Sequence, residues 1–220
     1  MAAQSKIHMT QKKKITPLYA RVLKRFKSLS HKYPVETDIF YRPDFLDFFY
    51  ATQNECKSSA SPVLELEVLS AENLPQAFCK AYPFPWFLAF SVTMGESADA
   101  LISFYAGNNE VFKSYLIDAW YSESVEVINE TVEAFILHKL GAYNCVSYSS
   151  RFSPGYGSIG IKDNQVVQKA AHFSCVSVNP DSGILFPRKS TICLLGFTPT
   201  FNINEFRRAI YENLNNFFAS

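Results

Sequence analysis

The densest group of residues able to do chemistry is Arg151-Phe152-Ser153-Pro154-Gly155-Tyr156-Gly157. An arginine placed here can grip a carboxylate through a planar, two-pronged set of N–H donors. Pro154 fixes its own φ, while Gly155 and Gly157 can take φ > 0 and let a ligand come close to the backbone. Cys145-Val146-Ser147-Tyr148 ahead of this loop reads as a strand, and Asn164 to Ala171 behind it reads as a helix. A cation, a glycine turn and a helix N-terminus in succession suit a small zwitterionic or anionic ligand. Tyr156 either packs over a flat ring of that ligand or wedges the turn.

Glu126, Glu130 and Glu133 recur at i, i+4 and i+7, on the helix face away from Val125, Ile128 and Val132. A solvated acidic face is the commoner meaning of such a stripe. The functional meaning turns Glu130, together with Glu126, toward the ligand, where a carboxylate would hold a hydroxyl or an ammonium. Gly155-Tyr156-Gly157-Ser158-Ile159-Gly160 also spells G-x-G-x-x-G, with Asp181 about twenty residues on, as in dinucleotide folds. The residues that follow are too few for the parallel half-sheet such a fold needs, and Lys162-Asp163 delays the helix. No G-x-S-x-G, H-E-x-x-H or Walker loop is present. Cys56, Cys79, Cys145, Cys175 and Cys193 form no C-x-x-C pair, so they read as buried free thiols rather than a zinc or dithiol centre.

Elements must position these groups, and the 220 residues, 48% of them hydrophobic and 15% aromatic, can bury a sizeable core. The net charge of +1 hides an asymmetry. The first 35 residues carry nine Lys and Arg and no acid, which leaves twelve basic against twenty acidic residues in the remainder. Such an arm suits docking to an acidic protein or a polyanion, although a solvated tail is the commoner case and a mitochondrial presequence a third. No apolar run is long enough to cross a bilayer and no leader pattern opens the chain, so a cytoplasmic protein with no membrane or nucleic-acid partner is expected.

Thr16-Pro17 starts a helix with Leu18, Val22 and Phe26 on one face, and Pro34 stops it. Ser58-Ser59-Ala60-Ser61-Pro62 is the best linker candidate. Strands are expected at 63–69, 86–93, 144–150, 183–186 and 190–197, with a short helix from Asn73-Leu74-Pro75. Residues 95–143 carry a helical pattern broken near Gly107-Asn108 and again near Tyr121-Ser122. A last helix runs from Asn204 to Phe218, with Phe206, Ile210, Leu214 and Phe217 in one stripe. This order predicts an α+β domain with an antiparallel sheet flanked by helices, spanning 35–220 behind a basic arm with a helix at 1–34.

The R-x-x-P-G-Y-G string resembles the S-adenosylmethionine-binding loop of the activation (reactivation) domain of cobalamin-dependent methionine synthase, and of small stand-alone bacterial proteins related to it. Val92-Thr93-Met94-Gly95, then Tyr115 to Trp120 with Ser124-Val125-Glu126, and finally Asp181-Ser182 with Phe186-Pro187-Arg188-Lys189-Ser190 are similar to further segments of that family, in order. The resemblance covers roughly 35–200. It implies a cofactor site formed by Arg151, Ser153, Pro154, Gly155, Tyr156, Glu130 and Glu126. In that site Arg151 meets the methionine carboxylate, the backbone at Ser153 and Gly155 meets the adenosine, and Glu130 faces a polar edge.

The same resemblance implies a function: remethylating, with S-adenosylmethionine, the inactive cob(II)alamin of a partner corrinoid methyltransferase. Methionine synthase is the expected partner, and flavodoxin the expected electron donor. His138-Lys139-Leu140-Gly141 carries the H-x-x-G half of the histidine motif that ligates cobalamin, but Ile136 stands where the aspartate belongs. Cobalamin is therefore expected only on the partner. The family's N-terminal contacts and tyrosine-bearing C-terminal extension have no mapped counterpart here, and Asn179-Pro180 replaces its leucine-threonine step. The alternative is a non-enzymatic interaction module with a vestigial site, in which Tyr156 or nearby Phe side chains plug the pocket.

Overall fold

The computed structural model describes residues 5–29 and 40–219. Its centre is a five-stranded antiparallel sheet in the order β1-β2-β3-β7-β4. The strands are β1 (Ser5–His8), β2 (Val63–Ser70), β3 (Trp86–Thr93), β4 (Ser147–Tyr148) and β7 (Ser190–Thr198). A separate two-stranded ribbon pairs β5 (Ser177–Val178) with β6 (Leu185–Phe186). Side chains alternate across the sheet, as the period of a strand requires. Leu64, Leu66, Leu88, Phe90, Cys193 and Leu195 enter one apolar cluster, while Leu69, Phe87, Ala89, Ile192 and Leu194 enter another on the opposite face.

The first face is covered by α1 (Tyr19–Leu29), α2 (Pro43–Ser59), α4 (Glu96–Gly107), α5 (Val111–Ala142) and α7 (Ile203–Ala219). The second is covered by α3 (Gln76–Ala81) and α6 (Asn164–Ala170) with the ribbon. The fold is thus α+β, as expected from the order of elements. Gly95 allows the turn from β3 into α4: its φ is +88°, and a Cβ there would stand 3.1 Å from Ser61 O.

The break at Gly107-Asn108 is real, and Asn109 adopts φ 62° in the turn. The second break expected near Tyr121-Ser122 does not occur. Helix α5 runs unbroken for 32 residues, roughly 48 Å at the α-helical rise. Neither residue has a reason to end it. Tyr121 is fully buried with its hydroxyl donating to Cys56 O at 3.2 Å, and Ser122 Oγ accepts Lys189 Nζ at 3.0 Å.

In the basic N-terminal segment, the described residues 5–29 pack against the body rather than forming a solvated tail. Strand β1 pairs with β2, Ile7 opposite Leu64, and Ile7, Met9, Ile15, Val22 and Phe26 are all buried. Leu18 departs from the expected face and is 72% exposed, because α1 begins at Tyr19, two residues after the expected first helical residue Pro17. The Leu18 carbonyl instead accepts the first N–H groups of the helix, from Arg21 and Val22. The Pro34 stop lies outside the described residues. Of the linker candidate 58–62, Ser58 and Ser59 end α2 and only residues 60–62 connect it to β2, and only Ser147–Tyr148 of the 144–150 segment is regular strand.

Candidate functional site

Phe152 joins β7 through a single bridge, exchanging hydrogen bonds with Leu194 at 3.0 and 2.8 Å. Alternation across that bridge sends Phe152 to one face and Arg151 and Ser153 to the other. Phe152 stacks on Tyr82, with ring centroids 3.6 Å apart and planes within 5°. Arg151 turns toward α5. Its Nε donates to Glu133 Oε2 at 3.3 Å and its Nη2 to Glu126 Oε2 at 3.0 Å, while its backbone N–H donates to Glu133 Oε1 at 2.8 Å. The fork expected to wait for a ligand carboxylate is already holding two carboxylates of this chain.

The acidic stripe of α5 divides by helical angle. At 100° per residue, Glu126 and Glu133 lie within about 20° of each other, and Glu123 and Glu130 form a second pair offset by about 60°. The first pair meets Arg151. The second meets α1: Glu130 takes Arg21 through two bonds of 2.6 and 3.0 Å, and Glu123 takes Arg21 Nε at 2.9 Å and Arg25 Nε at 2.5 Å. Glu130 is therefore turned away from Arg151 and toward α1, contrary to expectation. Glu133, counted in the stripe but not among the site residues, takes the place beside Arg151.

Cys193 Sγ lies beneath the arginine, 3.8 Å from Nη1 and 3.3 Å from Ser153 Oγ. Burial raises its pKa, so the thiol stays protonated at neutral pH. Burial alone would lower the pKa of Arg151, but its polar neighbours, Glu126 among them, outweigh that and raise it. Glu126 is steadied from its own helix by Asn129 Nδ2 at 3.5 Å, and Asn129 Oδ1 accepts from Thr191 Oγ1 at 3.0 Å.

Gly155 and Gly157 adopt φ of 96° and 62°, as the turn requires. The Gly155 N–H is used inside the loop, donating to Ile159 O at 3.0 Å, and Tyr156 N–H donates to Ser153 O at 3.3 Å. The expected helix N-terminus is also occupied. A 3-10 turn over Ile161–Asp163 precedes it, with Gly160 N–H donating to Asp163 Oδ2 at 3.0 Å and Asn164 N–H donating to Ile161 O and Lys162 O, and α6 spans only two turns. Gly183, in the β5–β6 turn, closes the far side of the loop. Its φ is +75° and a Cβ there would lie 2.5 Å from Ile161 O. Its carbonyl accepts Asn164 Nδ2 at 3.0 Å.

Between α5, this loop and the start of β7 lies a cleft of two lobes that share Glu126, Ser153 and Tyr156. The larger, about 430 Å³, is walled by Tyr82, Phe152, Arg151 and Gly157. The smaller, about 230 Å³, is lined by apolar Pro154, Ile184 and Leu185 and by Arg188, Ser190 and Thr191. Tyr156 stands 76% exposed at the rim and does not fill it. Arg151, Ser153, Pro154, Tyr156 and Glu126 are thus brought together, Gly155 shapes their loop, and Glu130 is not with them. Tyr82 and Arg188 joined the site without any spacing signal, since both arrive from distant chain segments. His138 is an exposed residue of α5. Among the described residues no group of three or more His, Cys, Asp or Glu could hold a metal ion, and no helix is long and apolar enough to cross a membrane.

No protein-family model matches the chain, and no curated protein matches its sequence. Among solved structures, the MetH reactivation domain bound to AdoHcy matches with a TM-score of 0.61 and 11% sequence identity, over 90% of this chain and 79% of that one. The fold is that of the MetH reactivation domain.

Proposed function

We propose that the cleft binds S-adenosylmethionine and that the chain presents it to the cobalamin of a partner corrinoid methyltransferase, with methionine synthase the expected partner. The observation that carries this reading is a carboxylate in the cleft. Glu126 lines both lobes with its carboxylate about a third exposed, in a cleft that also holds Arg151 and Arg188, and that exposed carboxylate suits the cationic end of a sulfonium-bearing ligand. The likeness of fold to a domain carrying AdoHcy, the demethylated form of the same ligand, supports it. S-adenosylmethionine supplies an activated methyl group, which the partner's corrinoid accepts after one-electron reduction by a separate donor such as a flavodoxin.

The chain's residues bind and align. The Tyr82–Phe152 stack is a flat wall for an adenine ring, Tyr156 closes over it, and Glu126 offers its carboxylate to the cationic part. Arg151 holds Glu126 and the loop in register with α5. Alignment of this kind contributes up to about 7–11 kcal/mol to a bimolecular group transfer, and no side chain need act as acid or base. The rival reading, an interaction module with a vestigial site, rests on Arg151 being already paired; against it stands the open cleft beneath an exposed Tyr156.

Calorimetric titration with S-adenosylmethionine tests the proposal. Saturable binding is expected, weakened tenfold or more by Tyr156→Ala at unchanged Tm. No binding up to millimolar ligand, alone or with a corrinoid methyltransferase present, would overturn it in favour of the module.

A further inference from the structure

Two cationic side chains line the cleft, and they differ in what they already hold. The Arg151 guanidinium donates to Glu133, Glu126 and the Cys193 sulfur. A ligand carboxylate approaching it would also approach two carboxylates, and that repulsion opposes binding. Arg188 lies at the other end, on the segment leading into β7. Its backbone N–H donates to Asp99 Oδ2 at 2.7 Å, which fixes the main chain. Its guanidinium makes no hydrogen bond or ion pair among the described residues. A planar cation with all its donors available is the better seat for a carboxylate.

We propose that Arg188, rather than Arg151, receives the ligand's carboxylate, so that the smaller lobe is a subsite for an α-amino-acid group. The inference rests on the reading of the cleft as an S-adenosylmethionine site and changes which residue recognises the methionine end. Glu126 lines this lobe as well, and its side chain remains about a third exposed beside Arg151. A carboxylate at one side and a free guanidinium at the other match the ammonium and carboxylate of a zwitterion. The 230 Å³ lobe suits that small head group, and the 430 Å³ lobe with its aromatic wall suits a nucleoside.

The test is a pair of titrations on the full chain, with S-adenosylhomocysteine and with 5′-methylthioadenosine, which lacks the amino-acid group. The wild-type chain is expected to favour S-adenosylhomocysteine by tenfold or more. Arg188→Ala is expected to erase that preference and leave methylthioadenosine affinity and Tm unchanged, and Arg188→Lys to restore part of it. If Arg188→Ala retains the full preference, or weakens both ligands equally, Arg188 is not the carboxylate seat and the cleft assignment stands. If the wild-type chain binds neither ligand, this inference and the reading beneath it both fail.

Discussion

Glu133 and Arg151 are joined twice: one carboxylate oxygen accepts the backbone N–H of Arg151 at 2.8 Å and the other accepts its Nε at 3.3 Å. A single helix residue thereby fixes both the path of the loop and the direction of its arginine. The side chains are largely shielded, 19% exposed for Arg151 and 21% for Glu133, so the link carries more weight than a surface ion pair. Glu133→Ala leaves a half-buried N–H and part of a guanidinium without their acceptor. We expect it to lower the unfolding free energy by about 1–3 kcal/mol and to weaken S-adenosylmethionine binding. Glu133→Gln, which retains an acceptor for the N–H, is expected to cost less. Urea denaturation of both variants measures the difference.

Gly183 holds the β5–β6 turn against the loop through a contact that no side chain can share. Gly183→Ala would set a Cβ 2.5 Å from a backbone oxygen at a φ of +75°. The expected cost is about 1–3 kcal/mol from the strained backbone, with the turn displaced from the smaller lobe. Ligand affinity should fall along with the urea midpoint. An unchanged affinity would mean that this lobe is not part of the site.

Helices α2, α4 and α5 meet at Glu55, Tyr105 and Lys113. Lys113 Nζ lies 2.9 Å from Glu55 Oε2, and the Tyr105 hydroxyl donates to Oε1 at 2.5 Å. Burial would raise the Glu55 pKa, but its bonds to Lys113 and Tyr105 outweigh this and hold it below the usual 4.5. A depressed folded-state value contributes stability that is present above about pH 4.5 and is lost as pH falls through it. Glu55→Gln should therefore be less stable than the wild type at pH 7, and the gap should narrow below about pH 4.5. Thermal unfolding across about pH 3–7 would show it.

Strand β1 turns the basic segment into part of the sheet. Ile7 is fully buried opposite Leu64, so Ile7→Ala should cost about 2–5 kcal/mol, as for other buried aliphatic truncations. A solvated tail would give almost no change. Differential scanning calorimetry of the single variant distinguishes these outcomes.

Local patterning made much of this protein legible. The apolar strands β2, β3 and β7, the amphipathic α7 and the break at Gly107 all follow from short-range periodicity and turn residues. The glycine loop was visible for the same reason, since its positive φ angles depend on residue type at Gly155 and Gly157. The four-residue β1 was not, because Lys6 and His8 flank Ile7 and the strand exists only where β2 offers a partner. The pattern near Tyr121-Ser122 suggested a break, but burial of Tyr121 against α2 carried the helix through it.

At the site, residue types were determined by the sequence and their pairing by the tertiary structure. A stripe of glutamates at helical spacing announces a charged face without saying what meets it. The 60° between Glu126/Glu133 and Glu123/Glu130 matters only once α1 and the Arg151 loop lie on either side of α5. Arg151 pairs with the first two, Arg21 with Glu123 and Glu130, and Arg188 is left facing the cleft. Charge pairing depends on separations of a few ångströms between residues far apart in the chain, and only the packed fold sets those distances.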